Sequence, residues 1–566
     1  MKNFFIFVYF LSFAALSSRY ENLSVLEKKS TDNALKTYNL IIDNEPQNKI
    51  IKNVFIYVDK PFLDNELFSF TNLFHINTKN YLVLKDVFIK SGEVYNEAKI
   101  LDSELTLRKS YVRSLALIIP IKNSSREVDL LVVTRDLFSI NASLTFKAAG
   151  KELSNLDIIV GENNLLGLNQ SIHGIYNLDL SNHAVYLRYF IPKILNSNWQ
   201  LTLKPGMFIG RDKEHKKGAY GSLKLAYPLK SFNDKWGFDI SAEAYKKLIM
   251  DIRNNIPTKI MLGNKEIERR YMYQNFFSTL KTTRSIGYLE KKEIYFGHSL
   301  SFKKPIIEKE LKLTASQIQI FKDKYLVKNE LESFLFVGFN YFENNFLSLY
   351  DYESFSLQES KRLGLDFDIS LDLASKLVLF SDEYFIRPNT TVSYTWQLFN
   401  DAFIKTKADF STRYNKEFLN NNYLTGLEIV SPKVFDTFRI IFASNFKETI
   451  KNRDNLAYSL GANSGLRGVT DRFYNGTKSI NANLEFRSMP LDLALFQTGL
   501  VLFYDAGSAF NEWNKMNPTH SMGVGLRFLV PQFASEVFRV DFGFAIAGKS
   551  KQNQVFVPSL GTGQGF

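Results

Sequence analysis

Long runs of strictly alternating residues are the feature that most constrains the fold of this chain. From Leu363 to Leu373, six large apolar residues alternate with a glycine, three aspartates and a serine. Similar runs begin at Trp236 and Ile480. A period of two places successive side chains on opposite faces of a strand. Strands of soluble sandwiches are commonly about five or six residues long, so an alternation of this length, with three aspartates on one face, indicates another architecture.

The alternation predicts a transmembrane β-barrel over residues 141–566. Apolar side chains suit the lipid and polar ones suit a wet lumen, and a closed barrel leaves no unpaired edge in the bilayer. At about 27 residues for each strand with its connection, the segment supplies about 16 antiparallel strands, since a tilted span needs about 9–11 residues. We expect the first and last strands near 157–174 and 555–566, with Phe566 as an interfacial aromatic.

Composition excludes several other classes. The absence of cysteine excludes a disulfide framework, a cysteine-based zinc site and thiol catalysis. The six histidines lie far apart, so we expect no metal site and no cofactor. A net charge of +12 comes from lysines interleaved with acidic residues. Nucleic-acid-binding proteins concentrate such charge on one face or element, so we expect no nucleic-acid partner.

The N-terminus has the pattern of an exported protein. Lys2 precedes an apolar run from Phe4 to Leu16, and Ala15-Leu16-Ser17 supplies small residues at the spacing of a cleavage site. We interpret residues 1–17 as a secretory signal peptide. Residues 18–48 are polar and are predicted to form a linker with a short helix near Leu23–Leu35.

Residues 49–138 have a different pattern of apolar residues, which predicts one small α/β domain. Its strand-like runs are β-branched and apolar, and its helix-like runs have apolar residues at i,i+4. The predicted order is strand, helix, helix, strand, strand, at 50–58, 79–90, 95–109, 112–121 and 128–134.

These segments resemble the BamA/TamA-like outer-membrane assembly superfamily, the bacterial surface antigen family. The α/β segment is similar to a single POTRA domain in Thr78–Phe88, Ser91–Tyr95, Leu101–Arg108 and Tyr111–Val112. It departs from the POTRA pattern in the insertion-like Pro61–Asn77. Glu162 to Leu168, with Asn163 and Gly167, is similar to the family's motif at the opening of the barrel.

The stretch 465–469, Gly-Leu-Arg-Gly-Val, resembles the family's Val-Arg-Gly-aromatic motif on a loop that folds into the lumen. Leu466 and Val469 depart from the usual valine and aromatic residue. The resemblance implies that Glu485 and Asp505, in the next two strand motifs, receive Arg467. The planar guanidinium suits carboxylates, and an unpaired desolvated charge costs several kcal/mol. Gly468 would allow a tight turn or a close approach.

The resemblance implies an outer-membrane barrel that inserts or translocates polypeptides, with no catalytic residues and therefore not an enzyme. It places the protein in the outer membrane of a Gram-negative-type bacterium, with the POTRA domain in the periplasm. The implied partners are outer-membrane lipid, unfolded barrel or secreted client polypeptides, and periplasmic accessory proteins that dock on the POTRA domain.

Two alternatives stay open at this stage. A two-partner secretion transporter would export one dedicated client, although such transporters usually carry two POTRA domains and a plug helix. A passive channel or surface-binding barrel would keep the architecture without insertase activity. If the barrel inserts or translocates polypeptides, we expect a client to pair with the edge strand at 112–121 of the POTRA-like domain. We also expect Pro558 and the glycines of the last strand to weaken barrel closure.

Overall fold

The computed structural model describes residues 23–62, 69–109, 112–149, 152–212, 215–250, 252–253, 256–454, 456–493, 496–530, 537–548 and 556–564. The predicted signal peptide, Tyr111 and the terminal Phe566 lie outside these residues, as does part of the insertion at 61–77. No helix in the described ranges combines the length and the apolar character needed to cross a membrane.

The N-terminal unit (residues 23–136) is built on a three-stranded sheet. Its elements are α1 (Val25–Tyr38), β1 (Ile50–Asp59), α2 (Asn80–Leu84), α3 (Glu97–Arg108), β2 (Arg113–Lys122) and β3 (Glu127–Asp136). Strand β3 is central, parallel to β1 and antiparallel to β2. From β1 onward the elements follow the predicted order, although α2 is shorter than the predicted helix at 79–90.

Part of the segment predicted as a linker packs onto this sheet. Helix α1 begins with a capping box, in which the Ser24 hydroxyl accepts a hydrogen bond from the Glu27 N–H and the Glu27 carboxylate accepts one from the Ser24 N–H. Ala34 of α1 is buried against Leu117 and Val133, while α2 and α3 cover the opposite face. The helix predicted near Leu23–Leu35 is thus present, two to three residues further along the chain, and it belongs to the N-terminal unit rather than to a linker.

Strand β2 is an edge strand, as predicted. Much of its free edge is already covered by other parts of the N-terminal unit. The Lys122 N–H donates to the Ile41 carbonyl at 2.8 Å, and the Asp43 N–H donates to the Pro120 carbonyl at 2.9 Å. The Glu104 carboxylate accepts a hydrogen bond from the Ile118 N–H at 2.7 Å. An added strand would therefore have to displace these contacts from the second half of β2.

Within the described residues, twenty antiparallel strands form the barrel. They are β4 (Ile140–Ala149), β5 (Glu152–Leu165), β6 (Gln170–Leu178), β7 (Asn182–Ile191), β8 (Gln200–Gly210), β9 (Lys217–Tyr227), β10 (Trp236–Met250), β15 (Arg270–Ile286), β16 (Glu290–Ile306), β17 (Glu330–Glu343), β20 (Gly364–Ala374), β21 (Phe385–Gln397), β22 (Phe403–Asn415), β23 (Glu417–Val430), β24 (Phe438–Ile450), β27 (Lys478–Ser488), β29 (Phe496–Phe510), β30 (Thr519–Leu529), β31 (Phe538–Ala547) and β32 (Val557–Thr562).

The remaining strands are short and lie in the connections. They are β11 (Ile252–Arg253), β12 (Ile256–Pro257), β13 (Lys259–Leu262), β14 (Lys265–Glu268), β18 (Phe346–Leu349), β19 (Glu359–Arg362), β25 (Tyr458–Leu460), β26 (Tyr474–Gly476) and β28 (Leu491–Leu493). The connection between β16 and β17 also carries a helix, α4 (Ala315–Tyr325).

The strand count corrects our prediction of about 16. Several connections are tight turns, and β22 and β23 are separated by Lys416 alone, so the assumed length per strand was too great. The position of the first strand was also wrong. It is β4, whereas the predicted 157–174 falls on β5 and β6. The last strand, β32, lies within the predicted 555–566.

Side chains of the barrel sort by face as the alternation predicts. On β20, Ile369 and Leu373 point outward and remain 42% and 41% exposed, whereas Asp372 is buried and accepts a hydrogen bond from the Arg387 guanidinium. Asp368 accepts a hydrogen bond from the Tyr295 hydroxyl at 2.9 Å. An apolar outer surface around a polar interior is the arrangement that a lipid bilayer requires.

The ring closes at a short seam between β32 and β4. Among the described residues, only Ser559 with Ala149 and Leu560 with Ala148 pair across it, whereas β4 pairs with β5 along all ten of its residues. Pro558 adds no backbone donor to this short last strand. The seam is therefore the weakest strand pairing of the described barrel.

The outward position of Ile369 gives a test of the membrane assignment. Ile369→Lys places a charge on the lipid face and is expected to lower the free energy of unfolding by about 2–4 kcal/mol. Leu377→Lys makes the same chemical change in an exposed connection and is expected to cost about 1 kcal/mol or less. Denaturant unfolding in lipid vesicles measures both, and equal effects would contradict a lipid-facing Ile369.

Candidate functional site

The loop between β24 and β27 folds into the lumen. This lumen loop, residues 451–477, carries the short hairpin β25–β26. Near its tip, Leu466 and Val469 are fully buried and pack with Leu460, Tyr474 and Ala509. Val469 thus fills an apolar cluster at the position where the family motif has an aromatic residue.

Arg467 lies against the two predicted carboxylates. Its Nε and Nη2 donate to the two Asp505 oxygens, each at 2.8 Å, and its Nη1 donates to Glu485 Oε1 at 2.6 Å. The Arg467 backbone N–H donates to Asp505 at 3.0 Å, and the guanidinium lies over the Phe503 ring. Charged hydrogen bonds of this bidentate kind are about twice as strong as neutral ones. Their geometry fixes the loop tip against β27 and β29.

Gly468 permits the close approach of the loop to the barrel wall. Its φ is +83°, a conformation that favours glycine. A Cβ at this position would lie 2.9 Å from Ser521 Cβ and 3.0 Å from the Phe544 nitrogen. A Cβ on the facing Gly543 would lie 2.4 Å from the Gly468 nitrogen. The two glycines therefore share one contact between loop and wall.

The ion pairs extend beyond the predicted residues toward the end of the chain. Arg487 donates to Glu485 Oε2 at 2.6 Å, while Arg527 and Arg539 donate to Asp541 at 2.7 and 2.9 Å. Arg527 also donates to the Gln564 carbonyl at 2.8 Å. These partners were not predicted from the sequence, although Phe538-Arg539-Val540-Asp541-Phe542 has the alternation that points Arg539 and Asp541 inward.

The N-terminal unit docks on one end of the barrel, here called the near end. The Asp102 carboxylate accepts a hydrogen bond from Ser231 at 2.7 Å, and Lys193 pairs with Asp86 at 2.8 Å. The opening motif lies at the same end and faces the unit: the Lys79 N–H donates to the Gly167 carbonyl at 3.2 Å.

Glu162, Asn163 and Gly167 of the opening motif have defined local roles. Glu162 accepts hydrogen bonds from the Ser139 hydroxyl and the Asn164 N–H, at 3.1 and 2.7 Å. The Asn163 side chain bonds to His173 at 2.7 Å, and Gly167 has a φ of +72° in the turn after β5. The motif therefore shapes the turn on which the N-terminal unit rests.

A connection between β17 and β20 forms a second inserted element, the near-end hairpin (residues 344–363). It contains strands β18 and β19. Phe355 is buried with Leu529 and Val537, which lie at the near end of β30 and β31. Tyr352 is buried with Phe403 and Ile441. Because these barrel partners lie on different strands, the hairpin crosses the near end of the lumen.

The near-end hairpin contacts both the N-terminal unit and the charged network. The Tyr350 hydroxyl donates to Glu27 of α1 at 3.1 Å, and Arg108 of α3 donates to the Ser360 hydroxyl at 3.5 Å. Arg487 donates to the Tyr352 carbonyl at 3.0 Å as well as to Glu485. A continuous series of polar contacts therefore joins the unit to the Arg467 site.

Glu359 organises the turn of this hairpin. Its carboxylate accepts hydrogen bonds from the backbone N–H groups of Tyr352, Glu353 and Ser354, at distances of 2.9–3.2 Å. Burial raises the pKa of Glu359 to about 7, against the opposing effect of these three donors. The folded hairpin therefore holds a proton on Glu359 more tightly than the unfolded chain does.

No protein-family model and no curated protein matches the sequence. Among solved structures, BamA from Haemophilus ducreyi lacking POTRA domains 1-3 matches with 12% identity and a TM-score of 0.37, over 91% of this chain and 85% of that chain. CdiB from Escherichia coli matches with 11% identity and a TM-score of 0.44, over 90% and 76%. OccK10 from Pseudomonas aeruginosa matches with 8% identity and a TM-score of 0.32, over 75% and 99%. Likenesses this low assign no function to the chain.

Removal of the Arg467 guanidinium is expected to release the lumen loop. Arg467→Ala leaves Asp505 and Glu485 buried with less compensation, a change that costs about 3–5 kcal/mol. Limited proteolysis should then cut within 451–477 in a barrel that is otherwise intact. Arg472→Ala removes an exposed arginine from the same loop and should leave its protection unchanged. Equal protection in both variants would contradict the role of Arg467 in holding the loop.

The raised pKa of Glu359 gives a pH dependence with a defined sign. Because the folded pKa of about 7 exceeds the unfolded value, the Glu359 contribution to the free energy of unfolding falls as pH rises from about 4.5 to about 7. The denaturation midpoint of the wild type, relative to that of Glu359→Gln, should be lower at about pH 8 than at about pH 5. A difference that is constant over this range would contradict the shift.

Proposed function

We propose that the protein is an outer-membrane barrel that inserts or translocates polypeptides and has no enzymatic activity. The short seam between β32 and β4 carries this proposal. Among the described residues, two paired positions close a ring of twenty strands, and an unpaired strand edge is a template for another chain. An extended client strand would add to β4 through backbone hydrogen bonds.

The N-terminal unit fits this function as a POTRA-like domain in the periplasm. Its β1–α2–α3–β2–β3 order and its similarity to the POTRA sequence pattern both support the assignment. The unit docks on the near end of the barrel, which would then face the periplasm and receive exported clients. Because residues 41–43 and Glu104 cover the second half of β2, we place client pairing at the barrel seam rather than along the whole of that edge.

The buried charges give the proposed mechanism a resting state. Arg467 holds the lumen loop, and Arg527 links Asp541 of β31 to the Gln564 carbonyl just after β32. The near-end hairpin occupies the lumen with buried aromatic side chains. Opening of the seam would therefore be opposed by ion pairs as well as by the few backbone bonds. An inserted loop and an inserted hairpin favour a regulated path over a permanently open passive channel.

Reconstitution in liposomes tests this function. Protease protection of an unfolded barrel client is followed with the wild type, Arg467→Ala and, as the control, Arg472→Ala. We expect the wild type and Arg472→Ala to accelerate client insertion, and Arg467→Ala to lose most of the acceleration while its barrel stays folded. Steady ion conductance with no acceleration by the wild type would overturn the proposal and favour a passive channel.

A further inference from the structure

A cavity of about 840 Å³ lies at the near end, between the N-terminal unit and the barrel wall. Arg108, Lys109 and Arg113 line it from the unit, Arg188 from β7 and Glu359 from the near-end hairpin. On its seam side it is lined by residues 142–145 of β4 and by Thr562 of β32. Its size falls within the range of about 300–1,000 Å³ that is usual for ligand sites.

Arg113, which lines this cavity, is a buried cation with hydrogen-bond donors that the described residues leave unused. Its side chain is fully buried, and one of its nitrogens donates to the Leu107 carbonyl at 3.4 Å. The nearest carboxylate paired with it, that of Asp86, is 4.0 Å away and is also held by Lys193 at 2.8 Å. Within the described chain, Nε and Nη2 of Arg113 are buried without a hydrogen-bond partner. A buried guanidinium with two unused donors is costly unless an anion completes its contacts.

The other cations of the cavity reinforce this excess of positive charge. In the part of the chain that the structure describes, neither Lys109 nor Arg188 has a carboxylate within 4 Å. Arg188 Nη2 donates to the His173 ring at 3.3 Å, and Arg188 Nε is buried without a hydrogen-bond partner there. Burial, followed by the nearby charge of Arg362, lowers the pKa of Lys109. Lys109 also lines an adjoining cavity of about 690 Å³ whose wall includes Lys230 and Lys291. Glu359 is the one acidic residue that lines the first cavity among the described residues.

The position beside the seam selects among anionic ligands. Within the described chain, Ala148 and Ala149 are the only residues of β4 that pair with β32. The β4 backbone from Ile140 to Lys147 therefore has no partner from β32. A free phosphate or a lipid headgroup makes no use of strand backbone, whereas an extended polypeptide pairs with it. We propose that this cavity binds the acidic side chains of an extended client segment and holds that segment beside β4. The inference rests on the proposed function and names its substrate class.

The test is direct binding to the full-length barrel in detergent, with no insertion step. A fluorescent peptide rich in glutamate and aspartate is titrated with the protein. The uncharged control is a peptide with glutamine and asparagine at the same positions. Wild type is compared with Lys109→Gln/Arg188→Gln, which spares the buried Arg113. Lys235→Gln removes an exposed positive charge near the same end of the barrel but outside both cavities. Heat-modified mobility in gels confirms that each variant is folded.

We expect the acidic peptide to bind the wild type and Lys235→Gln equally, and the double variant at least about tenfold more weakly, as for the loss of one hydrogen bond to a charged group. Equal binding of the two peptides, or unchanged binding by the double variant, would overturn the inference. So would inorganic phosphate or anionic-lipid vesicles binding in a Lys109-dependent way where the acidic peptide does not bind. Because no insertion is measured, these outcomes are separate from failure of the proposed function in liposomes.

Discussion

The pairing of Arg467 with Asp505 and Glu485 is the interaction on which the interior of this barrel depends. A twenty-stranded ring is too wide for wall side chains alone to fill, so the chain fills part of it with its own loop. The loop brings a permanent positive charge into a buried place, which is tolerable only because two carboxylates and an aromatic face receive it. Arg487 pairs with the other oxygen of Glu485, while Arg527 and Arg539 pair with the neighbouring Asp541. One loop contact thus dictates the character of four neighbouring strands.

The near-end hairpin makes this interior responsive to the N-terminal unit. It touches α1 and α3 on one side, and Arg487 on the other. Each of these contacts is single and polar, so none of them is strong in isolation. Together they connect the two regions, because a movement of the N-terminal unit would be transmitted to the buried ion pairs through this short series of groups. Glu359 at the hairpin turn adds a site where a proton changes the stability of that connection.

Sequence patterns predicted the parts of the structure that follow from local chemistry. Alternation on β20 gave the lipid and lumen faces, and the i,i+4 spacing gave α3 nearly to its ends. The motif resemblance brought Arg467, Glu485 and Asp505 together. Strand number was wrong because it depends on turn lengths, which alternation does not encode. The position of the near-end hairpin and the unused hydrogen-bond donors of Arg113 depend on contacts between residues far apart in the chain. No local sequence pattern predicts them.

The cover over β2 has a consequence for what the N-terminal sheet can pair with. An exposed edge of a folded sheet is a template for pairing with other strands, including strands of the same chain that have not yet formed. Residues 41–43 and Glu104 occupy the donors and acceptors most open to such pairing, and α1 shields the apolar face behind them. The second half of the β2 edge is thereby closed to such pairing. The short stretch ahead of β1 thus limits which strands this sheet can accept.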